Sequence, residues 1–122
     1  MTNVPTFMMN IPSSYDTAVR NNVWMEEYDD EDIIVNKPKA IREMWEVYSF
    51  LASQGFVYLL PTPIDCKLQD LVFVANNGIV LQHTPIYIGS NFKATNRIGE
   101  EVIGMRFFDS LGYKTIRSPF EF

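Results

Sequence analysis

Asp70-Leu71-Val72-Phe73-Val74-Ala75-Asn76-Asn77-Gly78 decides how this chain is read, together with Asn96-Arg97-Ile98-Gly99-Glu100-Glu101 further on. Asn77-Gly78 stands between two apolar runs, 71–75 and 79–82. Both residues tolerate positive φ, so the pattern predicts a tight hairpin joining two strands. Ile86-Tyr87-Ile88 predicts a further strand, before a polar loop over 90–97. Val102, Met105 or Arg106, Phe108 or Asp109, and Leu111 then give a rough helical stripe that Gly112 closes.

The same order of parts recurs upstream. Phe50-Leu51-Ala52-Ser53-Gln54-Gly55-Phe56 resembles Phe107-Phe108-Asp109-Ser110-Leu111-Gly112-Tyr113, at an offset of 57 residues from Gly55 to Gly112. Each copy reads as the end of an amphipathic helix, a glycine C-cap and a returning strand. In the first copy Ile41, Met44, Trp45, Tyr48, Leu51 and Ala52 share one helical face, with Pro38 suited to the first turn. Residues 19–25 are the strand expected before that helix. The fold class expected is therefore α/β, with two ββαβ-type units over residues 12–64 and 68–122 of a single domain.

Bulk properties narrow the function classes. A chain of 122 residues holds one modest core, and 47% hydrophobic with 20% charged residues is ordinary globular composition. The net charge of −5 and the lack of any lysine or arginine cluster exclude nucleic acid as an expected partner. No segment approaches the ~20 apolar residues of a membrane helix, and residues 1–12 carry no signal-peptide pattern. One cysteine rules out an internal disulfide and fits a reducing, cytoplasmic setting. The acidic run 26–32 lacks the glycine and spacing of a calcium loop and reads as a solvated loop. Neither a metal nor an organic cofactor is expected.

Five pieces in order carry a family resemblance. These are Pro12 with Tyr15-Asp16, then Asn22-Val23-Trp24-Met25, then the D-x-V-F-x-A-N-x-G stretch at Asp70–Gly78. Arg97 before Gly99-Glu100-Glu101 is the fourth, and Phe107-Phe108, Gly112-Tyr113 and Ser118-Pro119-Phe120 make the last. Together they resemble the amino-terminal part of the guanidine-modifying superfamily of amidinotransferases, arginine deiminases, arginine dihydrolases and dimethylarginine hydrolases. The resemblance implies an incomplete pentein, the five-bladed α/β propeller. It also implies a ligand related to arginine, met by Asn22, Asp70, Asn76 and Arg97.

The chemistry suits those roles. A carboxylate at Asp70 accepts hydrogen bonds from a guanidinium or α-amine. The Arg97 fork matches a ligand carboxylate bidentately. Asn76 stands where deiminases carry an aspartate, and in this it resembles the dihydrolase-type members. Without the resemblance, Asp70 and Asn76 read as turn-formers, Arg97 as a surface ion-pair partner, and Glu100 and Glu101 as acids placed for the helix dipole. Trp24 and Trp45 read as core. Cys66 and His83 are not expected to form a catalytic pair: in the family, the catalytic acid, histidine and nucleophilic cysteine all lie later than position 122. No catalytic residue is assigned here, and inactivity alone is expected. A homo-oligomer or a complementing second polypeptide is the partner expected to cover the open propeller faces.

Overall fold

The computed structural model describes residues 3–20, 23–81 and 83–121. It is a mixed α/β structure with two small sheets. Strands β1 (Thr6–Asn10) and β2 (Phe56–Leu60) pair in parallel, Thr6 opposite Phe56 and Asn10 opposite Leu60, with helix α1 (Lys37–Gln54) as the crossover. Strands β3 (Gly78–Val80), β4 (Ile86–Gly89) and β5 (Lys114–Arg117) form the second sheet in that order. β3 runs antiparallel to β4, and β5 runs parallel to β4 across helix α2 (Glu100–Ser110). The second unit is thus ββαβ. The first, among the described residues, is βαβ.

Local chemistry starts and stops the helices. The Asn36 side chain accepts the Lys39 N–H at 3.1 Å, and Pro38 lies in the first turn of α1, where its missing N–H costs nothing. Gly55 ends α1 in extended backbone (φ −177°) and not in the left-handed cap expected. Gly112 does take the left-handed form after α2, at φ 86°.

Several sequence expectations are corrected. Among the described residues of 19–25 there is no strand; Val23–Glu27 is a 3₁₀ turn in a loop pinned by Arg20, which donates to the Met25 and Tyr28 carbonyls. Residues 71–75 are also not a strand: turns lead into a 3₁₀ turn at Val74–Asn76. Asn77-Gly78 makes no hairpin, because Asn77 is right-handed helical (φ −70°, ψ −33°) and Gly78 begins β3. The antiparallel connection comes later, around His83, which is an exposed turn residue and not a strand residue. β1 lies in an amino-terminal stretch where no strand is expected from sequence.

The helical faces are narrower than their patterns. On α1 only Ala40, Met44, Tyr48 and Leu51, spaced by four, four and three, are half-buried. Ile41 and Trp45 stay open, Trp45 with 58% of its surface exposed, stacked 5.0 Å from Tyr48. Trp24 is 69% exposed, so neither tryptophan is core. On α2 the expected Val102 and Leu111 face solvent. The buried positions are Glu100, Glu101, Gly104 and Phe108. The expected solvated acidic loop is found, with residues 26–32 all exposed.

The core comprises Leu60, Leu71, Tyr87, Phe92 and Phe108, with Tyr87 and Phe108 stacked 4.3 Å apart. Its polar centre is Asn77. The side-chain amide donates to the Glu100 carbonyl at 2.7 Å and its oxygen accepts the Tyr87 hydroxyl at 2.6 Å. Gly104 makes this possible: a Cβ there would lie 1.9 Å from Asn77 Oδ1 and 2.5 Å from the Tyr87 hydroxyl. Alanine would gain about 1 kcal/mol of helix propensity, but it would cost about 1–3 kcal/mol of overpacking and strand two buried hydrogen bonds of about 1 kcal/mol each. Gly104→Ala is expected to be destabilised by about 2–4 kcal/mol net in chemical denaturation. A variant as stable as the wild type would show that the helix does not sit this close to Asn77.

Candidate functional site

Three of the four residues singled out from sequence converge. Asp70 ends the 61–70 connector and is buried, and its carbonyl accepts the Phe73 N–H to shape the turn that follows. Asn76 closes the 3₁₀ turn. Arg97 arrives from the other side, on the loop after β4 and two residues ahead of the Gly99 N-cap of α2. Arg97 Nη1 lies 3.4 Å from Asn76 Oδ1 and Nε lies 4.0 Å from Asp70 Oδ2. Asn22 lies outside the described residues.

The sequence reading missed the residue that holds Arg97. Glu100 accepts from Arg97 Nε at 3.0 Å and from Nη2 at 2.8 Å, a bidentate pair, and the glutamate is 0% exposed. The Arg97 guanidinium carbon also sits 4.6 Å over the centre of the Phe92 ring. Beside it, Glu101 is 2% exposed; it accepts the Gly99 N–H at 2.9 Å and Arg117 Nη2 at 3.1 Å. The expected role of these acids, meeting the helix amino terminus, holds for Glu101, which accepts a backbone N–H there. Its neighbour instead sits under the arginine. An acid three residues after an arginine was the available signal, but it is equally what dipole compensation looks like.

Asp70 and Arg97 open onto a cleft of about 880 Å³. Its opposite wall comes from the loop before α1 and the start of that helix, with Trp24, Tyr28, Asp32 and Glu43; Tyr15 and Phe73 meet edge-on at 5.8 Å along it. Gln69 fastens that loop to the site, because its side-chain amide donates to the Val19 carbonyl at 2.8 Å and accepts the Val19 N–H at 3.0 Å. The lining combines acids (Asp16, Asp32, Glu43 and Asp70), cations (Lys39 and Arg97) and aromatic rings, which suits a ligand that carries both a cationic group and a carboxylate. Cys66 is half-buried in the connector and His83 is exposed in the turn after β3. Among the described residues, no group of three His, Cys, Asp or Glu side chains is arranged to hold a metal ion.

Burial raises the Glu100 pKa above the usual carboxylate value; Arg97 opposes the rise, and the Asp70 and Glu101 charges add to it. Burial, with Glu101 adding, likewise raises the Tyr87 hydroxyl. A carboxyl group whose folded-state pKa is raised binds its proton more readily in the folded chain, so this contribution to stability is full below the unfolded value and lost as pH rises through the folded one. The stability of wild type relative to Glu100→Gln is therefore expected to grow as pH is lowered through the window just above the usual carboxylate range. Urea midpoints measured across that window check this; a difference that shrinks on acidification would show that the Arg97 attraction outweighs burial.

The structure matches solved proteins over almost its whole length. Unliganded AgrE superposes with a TM-score of 0.78 at 30% identity, over 93% of this chain and 16% of the AgrE chain. The same figures hold for AgrE with L-arginine, seen in a mutant, and with ornithine and NAD+. The amino-terminal domain of ArgZ, an arginine dihydrolase of the ornithine–ammonia cycle in cyanobacteria, bound to product, superposes with a TM-score of 0.77 at 26% identity, over 92% of this chain and 38% of that one. The chain thus spans a sixth of one neighbour and under two-fifths of the other. No protein-family model matches it, and no curated protein sequence does.

Proposed function

Because this chain is related to the amino-terminal part of the guanidine-modifying enzymes, we propose that it is the substrate-binding part of a hydrolase or amidinotransferase acting on arginine or a related guanidino compound. The observation that carries this is the meeting of Asp70 and Asn76 with Arg97, from segments more than twenty residues apart, beside a cleft that Asp70 and Arg97 line. In this reading Arg97 receives the ligand carboxylate. Asp70 and Asn76 accept its N–H groups, and Asn22 is the fourth residue proposed to meet it. The fold is two units of a pentein propeller, the second over 68–122 and the first, expected over 12–64, taken to begin at β1, and the setting is the cytoplasm. In this reading these residues bind the ligand, and the acid, histidine and cysteine that carry turnover in the family are not among them.

The exposed surface favours a second part to this reading. The solvent-accessible area is 8673 Å², whereas a compact monomer of this mass exposes about 6,700 Å². The excess is larger than the roughly 800 Å² each partner gives to a standard interface. Ile41, Trp45, Val47, Phe50 and Phe56 contribute to it. A complementing polypeptide with the remaining catalytic groups would cover part of this surface, and a non-catalytic binding or oligomeric interaction module, with a second copy of the chain as partner, is the alternative.

Calorimetric titration with L-arginine tests the binding. Saturable binding is expected, weakened about 10- to 100-fold in Arg97→Ala, as befits a charge-assisted pair of about 1.5–3 kcal/mol. Asp70→Ala should weaken it too. No binding, or binding indifferent to both substitutions, rejects the reading. Light scattering on the eluting chain separates the partners: a stable dimer or larger species selects the second copy, and a monomer leaves the complementing chain.

A further inference from the structure

We infer that Glu100 is a positioning residue that sets the ligand selectivity of the cleft without touching the ligand. The inference rests on the reading that Arg97 meets a ligand carboxylate. A guanidinium has two edges able to grip a carboxylate: the Nε–Nη2 side, and the outer fork across Nη1 and Nη2. Glu100 occupies the first, with Nε and Nη2 at 3.0 and 2.8 Å from its two oxygens. Phe92 lies against one face of the group, 4.6 Å from its central carbon. What remains is the outer fork of Arg97, itself a residue that lines the cleft, with Nη1 beside Asn76 Oδ1 at 3.4 Å.

Glu100 is suited to this and Glu101 is not. Glu100 is fully buried and pairs with the arginine on the cleft; Glu101, equally buried, pairs with Arg117 on β5. The two neighbouring acids therefore give an internal comparison. If Glu100 merely stabilised the helix amino terminus, replacing either acid would loosen the fold and weaken all ligands alike. If it aims Arg97, its loss would weaken only ligands that carry a carboxylate.

The test uses L-arginine and agmatine, which differ by that one carboxylate. Wild type is expected to prefer L-arginine at least tenfold. Glu100→Gln should cut that preference threefold or more, Glu100→Asp should cut it partly, and Glu101→Gln should leave it unchanged even where its melting temperature falls. A readout without ligand accompanies this: the Arg97 Nε–H signal in nitrogen-15 NMR, assigned through Arg97→Lys, should exchange slowly in wild type and quickly in Glu100→Gln. Glu100→Asp serves for both readouts should the glutamine variant not fold. A preference unchanged in the Glu100 variants, or lowered as much by Glu101→Gln, overturns the inference. So does an Nε–H signal indifferent to Glu100. Wild type binding neither compound brings down the ligand reading and the selectivity with it, whereas an indifferent signal beside normal binding brings down the positioning alone.

Discussion

The buried amide of Asn77 ties three parts of the molecule to one point. Its side chain bonds the backbone of Glu100 and the hydroxyl of Tyr87, and its carbonyl accepts the Ser90 N–H at 2.9 Å. The turn over 70–77, strand β4 and helix α2 are thereby fixed relative to one another. Both side-chain groups are satisfied, so the amide rests in the interior at little cost. Deleting either partner would leave a buried polar group at a penalty of about 1–3 kcal/mol. Asp70 and Asn76 face Arg97 because the residue after Asn76 is anchored in this way.

A second constraint follows from the first. With α2 held close to Asn77, its first turn is buried, and two adjacent glutamates are carried into the interior. Two carboxylates in such a place each require a cation and hydrogen bonds. The chain provides them from opposite directions, Arg97 on the cleft side and Arg117 on the sheet side. The site arginine is thus also the counter-ion that makes the helix position tolerable, which joins the stability of the second unit to the geometry of the cleft.

The helices and the strands after them were legible from sequence, because periodicity records which side of an element must be covered. Asp70, Asn76 and Arg97 were grouped only by the family resemblance, since their composition alone reads as turn-formers and a surface ion-pair partner. The runs 19–25 and 71–75 misled because an apolar run can serve burial without a ladder: Leu71 plugs the core and Phe73 walls the cleft. Asn77-Gly78 carries the composition of a hairpin, but here the asparagine is needed for its side chain and not for positive φ. β1 was missed since its short run pairs with β2, fifty residues away. Glu100 was hidden because an acid in a first helical turn already has an adequate explanation.

The strand pairing has one more implication. Each parallel pair, β1 with β2 and β4 with β5, closes inside its own unit, and among the described residues no backbone ladder crosses the connector over 61–69. What joins the two sides is side-chain contact: Ser14 to the Leu68 carbonyl, the two Gln69–Val19 bonds, and the edge-on ring pairs Tyr15–Phe73 and Tyr58–Phe107. The connector is therefore a natural seam. Two pieces divided there would each keep an intact sheet, and their reunion would have to re-form the Tyr15–Phe73 and Tyr58–Phe107 ring contacts as well as these polar ones, so that assembling the halves and completing the binding site would be one event.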